Sequence, residues 1–462
     1  MDKRDRKQNA GHPSSTTEDQ GRQNGIITDM TKQSTENLVF HEHTMEEICH
    51  NDNIKEALKK VVQNKGKPGI DGVKTDELEG FFQEHWPEIR DQMLTGQYKF
   101  SPVRRVTIPK PKGGVRQLGI PTVKDRVIQQ AILQVLQNKW DPTFSENSYG
   151  FRPGRSAHQA VESAQKNIEE GYDIIVDIDL EKFFDKVNHD ILMGRIAKRV
   201  RDKRVLRIIR QLLNSGAAKG EQGKTRQEGM PQGGPLSPLL SNIILDELDK
   251  ELEQRKLRFC RYADDFMIFV RSPRAGHRVM RSIEQFLQRK LKLRINQDKS
   301  AVAKATERSL LGFSFIKKKK RGNPLIKRII SEESISRLKD KVRQITRKNR
   351  SIRIEELISE LSTYLRGWFG YFGFTEVNNM LPMVDSWIRR RIRSVMWTQW
   401  KTQSARYRGL RKGGFSHGKA KRLSYSGKGA WRMSLVISPA IRNAYFDKAG
   451  LFRLYKRNTQ SC

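Results

Sequence analysis

Apolar positions recur along this 462-residue chain with two periods, and the switches between them divide it into segments. Helical spacing comes first: Ile54, Leu58, Val61 and Val62 share a face, and residues 41–100 read as helical. Residues 101–125 read as two short strands joined by the turn sequence Pro111-Lys112-Gly113-Gly114. Asp125 to Trp140 returns to the helical period, with Val127, Ile128, Ala131, Ile132, Val135 and Leu136 on one side. From 172 to 316 strands and helices alternate. In the strand from Tyr172 to Leu180, the residues Ile174, Val176, Ile178 and Leu180 form an apolar face. Asp177 and Asp179 share the opposite face, expected to be exposed at the strand end. Two further apolar runs, Leu257–Cys260 and Phe266–Val270, flank a four-residue break, Tyr262-Ala263-Asp264-Asp265, which predicts a hairpin with adjacent carboxylates at its tip. Beyond the basic run Lys317–Arg321 another amphipathic helix is predicted. Ile335, Leu338, Val342 and Ile345 point inward, and Arg337, Lys341, Arg347 and Lys348 outward. Residues 1 to about 40, rich in Ser, Thr, Gln and Asn, predict little order.

Charge narrows the function classes. The formal net charge is +37, from 89 basic against 52 acidic residues, which points to a polyanion partner. From Ser386 to Phe446 there is no Asp or Glu, against 15 Lys or Arg. Trp387, Trp397, Trp400, Tyr407, Phe415, Tyr425 and Trp431 interleave with these cations. Some of the rings belong to a core and others can stack on unpaired bases. No apolar run reaches the ~20 residues needed to span a bilayer, and the start lacks an apolar signal core. Cys49, Cys260 and Cys462 are isolated, which leaves neither a disulfide framework nor a zinc knuckle. His158 and His189 have no Cys or His partner at ligand spacing, so a surface or capping role is expected for both.

The candidate chemistry lies where the two acidic elements meet. If the 172–180 strand lies beside the 257–270 hairpin, Asp179 and Asp264 converge. Carboxylate oxygens suit Mg²⁺, and two such ions about 3.5–4 Å apart activate a 3′-hydroxyl and stabilise a leaving pyrophosphate. With Asp179-Leu180-Glu181-Lys182-Phe183-Phe184-Asp185 upstream, the Tyr262–Asp265 tetrad resembles the palm motifs of a reverse transcriptase. More specifically, the chain resembles the reverse transcriptase/maturase proteins encoded by bacterial group II introns. The likeness runs in order through Pro68–Val73, Pro102–Lys110, Arg116–Arg126, Ser148–Ser156 and Gly229–Pro238, and covers roughly residues 45 to 440.

That resemblance implies an α+β right-hand polymerase with a basic C-terminal extension. After a disordered segment 1–40, it implies an N-terminal extension and fingers over 41–170 and an antiparallel-sheet palm over 171–316. A helical thumb, the maturase domain X, would span 317–415 and a basic nucleic-acid-binding extension 416–462. It implies two Mg²⁺ ions, replaceable by Mn²⁺, held by Asp179, Asp264, Asp265 and the Leu180 carbonyl. It assigns the nucleotide to Lys110 and Arg116 at the triphosphate, Phe184 as a gate against the ribose 2′-hydroxyl, Gln232 at the sugar and base, and Lys299 near the pyrophosphate. Leu311–Phe315 resembles the primer-grip hairpin. The implied partners are a group II intron RNA, an RNA template with a DNA primer or target DNA, and deoxynucleoside triphosphates, with no membrane. The implied setting is a bacterial cytoplasm, associated with the nucleoid or a ribonucleoprotein. Some relatives end in a metal-binding nuclease domain, for which this sequence offers no ligand set. Two rivals are an RNA-folding protein that has lost catalysis, opposed by the intact Asp179, Asp264 and Asp265, and a reverse transcriptase of another genetic system, opposed by Pro68–Val73 and the long basic region.

Overall fold

The computed structural model describes residues 43–109, 114–216, 228–320 and 323–455; residues 1 to about 40 and most of the Pro111–Gly114 turn lie outside them. The chain forms two compact units, one running through Pro153 with Leu180–Arg255 and Ile283–Asn296, the other comprising Gly154–Asp179, Lys256–Ser282 and the chain from Gln297 on. No helix among the described residues is long and apolar enough to cross a membrane.

In the first unit the 41–100 stretch is helical but interrupted, as Thr44–Ile48, Asn51–Gln63 and Leu78–Leu94. The longest break contains Gly66-Lys67-Pro68-Gly69, where proline disfavours helix at the residue before it. A Cβ on Gly69 would stand 2.5 Å from the Cα of Thr122, so this loop passes directly over the start of another helix. Strands β1 (Arg104–Pro109) and β2 (Val115–Ile120) pair antiparallel, with Arg104 opposite Ile120 and Pro109 opposite Val115. Thr122 then caps the helix Val123–Trp140, its hydroxyl accepting the Asp125 N–H at 3.1 Å. The apolar face foreseen for this helix is buried. Asp125 is buried too, and its carboxylate accepts the Tyr98 hydroxyl at 2.7 Å and the Ser101 N–H at 3.0 Å, which compensates its lost hydration.

The second unit is built on a four-stranded antiparallel sheet of β3 (Ile174–Ile178), β4 (Arg258–Tyr262), β5 (Asp265–Val270) and β6 (Ala301–Lys304), in the order β4-β5-β3-β6. β3 is central and covered on both faces, so Ile175 is buried together with Ile174, Val176 and Ile178. The one-sided strand expected from alternation is therefore found only at its end. Helix Pro273–Phe286 packs on the Val176 face, where a Cβ on Gly276 would lie 2.5 Å from Val302. Cys260 faces the other side and bonds the Ala160 carbonyl of helix Ala157–Glu169 at 3.2 Å.

A second sheet, β7 (Ser309–Leu310), β8 (Phe313–Lys320) and β9 (Asn323–Ile330), leads into the helices Glu332–Ile345, Ile354–Phe372 and Met380–Gln399. These and the short helices that follow share one hydrophobic core running from Ile335 to Leu454. Ile335, Leu338, Val342 and Ile345 do point inward; the helix stops at Ile345, so Arg347 and Lys348 are exposed just past its end. The core sorts the aromatics. Trp397 and Phe415 are buried; Trp387, Trp400 and Tyr407 pack partly against the core. Tyr425 is 62% exposed and Trp431 38%, the latter under the Arg390 guanidinium at 3.9 Å. Both histidines are more interior than expected. His189 begins a helix but is buried, its Nε2 on the Gly229 carbonyl at 2.5 Å, and burial lowers its pKa. His158 is half-buried, stacked on Phe374 at 4.3 Å between ring centroids and bonded to the Tyr371 carbonyl.

Candidate active site

Register brings the acidic residues to one end of the sheet. Asp177 stands opposite Met267 and Ile178 opposite Phe266, so Asp179, the next residue, comes level with Asp265 at the start of β5. Tyr262 pairs with Asp265 across β4 and β5, which reduces the foreseen four-residue break to Ala263 and Asp264. Ala263 has φ +58°, a left-handed conformation that costs a non-glycine residue on the order of 1–2 kcal/mol. Arg261, fully buried beneath the turn, donates to the Ala263 carbonyl at 3.0 Å and helps hold it there.

The cluster is strongly anionic. Lost hydration, then the neighbouring carboxylates of Asp264, Asp177 and Asp179, push Asp265 up to about 6, with Lys299 partly opposing them. Lys299 Nζ lies 3.3 Å from Asp179 Oδ2, and the Asp179 N–H donates to Ser300 Oγ at 2.9 Å. Asp177 is not left to solvent: Arg308 Nε donates to its Oδ2 at 2.8 Å, while Arg308 Nη2 donates to the Lys299 carbonyl at 2.7 Å. Burial raises the Asp177 pKa, and Arg308 opposes the rise. An all-oxygen, mutually repelling donor set suits a hard divalent cation. Among the described residues no three His, Cys, Asp or Glu side chains are preassembled as a metal-binding group, so the carboxylates are neighbours rather than a closed cage.

Crowding of charge predicts a stability effect whose sign can be worked out. The folded Asp265 holds its proton more tightly than the unfolded chain does, its pKa lying above the ordinary 3.8. Without metal it therefore lowers stability progressively as pH rises from about 4 through about 6, and by a constant amount above that. Asp265→Asn is expected to raise the metal-free melting temperature at pH 7.5 by about 2 °C and to flatten its fall across that window. Thermal melts in a chelating buffer test this; equal melting curves at pH 7.5 would refute the crowding.

The remaining site residues belong to the first unit. Leu180 is buried and bridges to Ile295, and the Glu181 N–H donates to the Arg294 carbonyl at 2.9 Å. Phe183 is core; Phe184 is half-buried, edge-on to it, with its carbonyl accepting the Met230 N–H at 2.7 Å. The Gln232 carbonyl accepts the Gly119 N–H at 2.9 Å, which ties the Pro231–Gly234 loop to β2. That approach requires glycine at 233: φ is +119° and a Cβ would stand 2.7 Å from the Gly119 oxygen. Lys110 lies outside the described residues, as does the side chain of Arg116, whose main chain pairs with Ile108. Asp179, Asp264, Asp265 and Lys299 are thus brought together in one unit. Arg261, Ser300 and Arg308 support them without belonging to any motif legible beforehand.

An antiparallel sheet ending in a carboxylate cluster fits an α+β polymerase of the reverse-transcriptase class. Residues 108–315 match the family described as reverse transcriptase (RNA-dependent DNA polymerase), and residues 335–414 match the group II intron maturase-specific domain. Protein YkfC of Escherichia coli strain K12 is 32% identical over 309 residues, 58% of this chain and 81% of YkfC. The group II intron-encoded protein LtrA of Lactococcus lactis subsp. cremoris is 36% identical over 206 residues, 44% of this chain and 34% of LtrA. The putative COX1/OXI3 intron 1 protein of Saccharomyces cerevisiae is 25% identical over 401 residues, 71% of this chain and 47% of that protein. The matched region therefore spans most of YkfC, about a third of LtrA and about half of the yeast protein. The chain belongs to the family of group II intron reverse transcriptase/maturases. Membership carries nucleic-acid substrates, RNA binding and the use of divalent metal ions.

Proposed function

We propose that this chain copies RNA into DNA and acts as the maturase of a group II intron, binding the intron RNA, helping it fold for splicing, and later reverse-transcribing it from a primer at a DNA target. The observation that carries this reading is the register that sets Asp179 beside Asp265 at the β4–β5 turn. Asp179, Asp264 and Asp265, with the Leu180 carbonyl, would hold two Mg²⁺ ions, and Mn²⁺ offers a similar oxygen-binding cation. When bound, such ions activate the primer 3′-hydroxyl and stabilise charge on the departing pyrophosphate. The chain's own part is to bind and orient. Lys110 and Arg116 clamp the triphosphate; Lys299 meets its pyrophosphate end; Gln232 contacts the sugar and base. The fingers, palm, thumb and basic extension expected over 41–170, 171–316, 317–415 and 416–462 supply the corresponding surfaces. Splicing chemistry belongs to the RNA, and the basic helical region contributes shape and charge recognition. Primer extension on an RNA template tests the polymerase half directly.

Phe184 makes the sugar preference testable. Its ring stands below the sugar in this reading, where a 2′-hydroxyl would clash. Phe184→Ala is expected to reduce discrimination of deoxy- over ribonucleotides by about 10–100-fold, the equivalent of about 1–3 kcal/mol. Single-nucleotide incorporation with matched dNTP and rNTP measures it; unchanged discrimination would return Phe184 to an ordinary packing role.

A further inference from the structure

We infer that Arg308 is a positioning residue for nucleotide addition and acts through Lys299. It lies in the short link between β6 and β7. Its guanidinium joins two segments far apart in sequence: Nε donates to Asp177 Oδ2 at 2.8 Å, Nη2 stands 2.5 Å from the same oxygen, and Nη2 also donates to the Lys299 carbonyl at 2.7 Å. One planar cation thereby fastens the loop carrying Lys299 to the strand that ends in Asp179. Ser300 makes the adjoining tie, its hydroxyl accepting the Asp179 N–H at 2.9 Å.

Three features separate this from an ordinary surface ion pair. The Arg308 and Asp177 side chains are 28% and 22% exposed, so both are largely withdrawn from water, where a charged hydrogen bond counts for more than in solvent. The forked geometry uses donors that a lysine cannot present together. Arg308 also neutralises Asp177, a carboxylate outside the proposed ion-holding set yet close enough to add to the repulsion on Asp265. The excess negative charge is then concentrated on Asp179, Asp264 and Asp265. Lys299, 62% exposed, reaches Asp179 with its ammonium while its backbone carbonyl is held by Arg308.

This inference rests on Lys299 serving the incoming nucleotide. The test is steady-state single-nucleotide addition by the full chain on a primed RNA template, comparing R308Q, R308K, K299A and the double variant R308Q/K299A. R308Q is expected to raise the dNTP KM about tenfold, the loss expected for one charged hydrogen bond, with a smaller change in kcat. R308K recovers little of it, since the fork is lost with the guanidinium. In the K299A background R308Q adds no more than about twofold, because the two residues act on one step. Multiplied effects in the double variant, or an unchanged KM in R308Q, would overturn the assignment. RNA affinity and melting temperature of each variant report folding. Where R308Q melts well below the parent, D177N carries the comparison, since it leaves the guanidinium on the Lys299 carbonyl. D177N cuts the strand side of the tie and is then expected to raise KM, by less than K299A does; an unchanged KM, or a rise larger than that of K299A, would count against the tether. Inactivity of the unsubstituted chain would overturn the polymerase reading along with this one; activity with multiplied effects overturns this one alone.

Discussion

Asp264→Ala is expected to slow primer extension by on the order of 10³-fold or more while leaving RNA affinity within about twofold. The asymmetry follows from where the residue stands. Asp264 is the second of two loop residues between β4 and β5, outside the strand pairing and carried on a turn held by the buried Arg261. The corner carries crowded negative charge, with Asp265 pushed up to about 6. Deleting Asp264 relieves some of that repulsion, so a variant as stable as the parent or slightly more so, yet inactive, is the combined signature. A lost Asp264 would remove one of the three proposed ion-holding side chains, and groups that act as a unit lose most of their effect when any one is removed. The measurement is extension of a DNA primer on an RNA template in Mg²⁺, with intron-RNA binding in parallel. Extension at near-parental rate would sink the two-ion site, and a matching fall in RNA affinity would point to misfolding instead.

Much of this site could be read from residue order because each carboxylate lies at the end of a short apolar run. Ile174 to Ile178 and Phe266 to Val270 announce strands by composition, and antiparallel pairing then leaves few ways for Asp179 and Asp265 to avoid each other. The helix Val123–Trp140 was legible from its apolar face and period, although it begins at Val123, behind a Thr122 cap, rather than at Asp125. What escaped has a common physical cause. Ile175 beside Val176 masks whether one face or both are covered, because a central strand is apolar throughout. The helix broken within 41–100 carries its stop signal in Pro68, which also belongs to a stretch resembling a family motif. Arg308 meets Asp177 from 131 residues away, and no local pattern marks an arginine as the partner of a distant carboxylate. Aromatic rings in the acid-free tail could not be assigned to core or surface because its short helices, such as His417–Ser424 and Ala430–Val436, are too brief for a period to declare itself.

RNA affinity is expected to fall about 10³–10⁵-fold between 50 and 200 mM monovalent salt. The structure limits how many charges contribute. Of the 15 basic residues between Ser386 and Phe446, ten are exposed: Lys401, Arg408, Arg411, Lys412 and Lys419, then Lys421, Arg422, Lys428, Arg432 and Arg442. Arg393 belongs to the interior, donating to the Ile441 carbonyl at 2.9 Å and lying over the Phe446 ring, and burial lowers its pKa to about 10. Each phosphate neutralised contributes about −0.7 to −0.9 to the slope of log affinity against log salt, so this tract alone supplies at most about −9. The exposed and buried cations should therefore behave differently when replaced. Lys421→Gln or Arg422→Gln is expected to make the slope less negative by about 1 with the fold intact. Arg393→Met should lower the melting temperature, because the Ile441 carbonyl loses its donor, and leave the slope where it was. Filter binding of a group II intron RNA across a salt series separates these outcomes. An affinity indifferent to salt would remove the basic tract from RNA recognition, and an Arg393 effect on the slope equal to that of Lys421 would mean the burial of Arg393 has been misjudged.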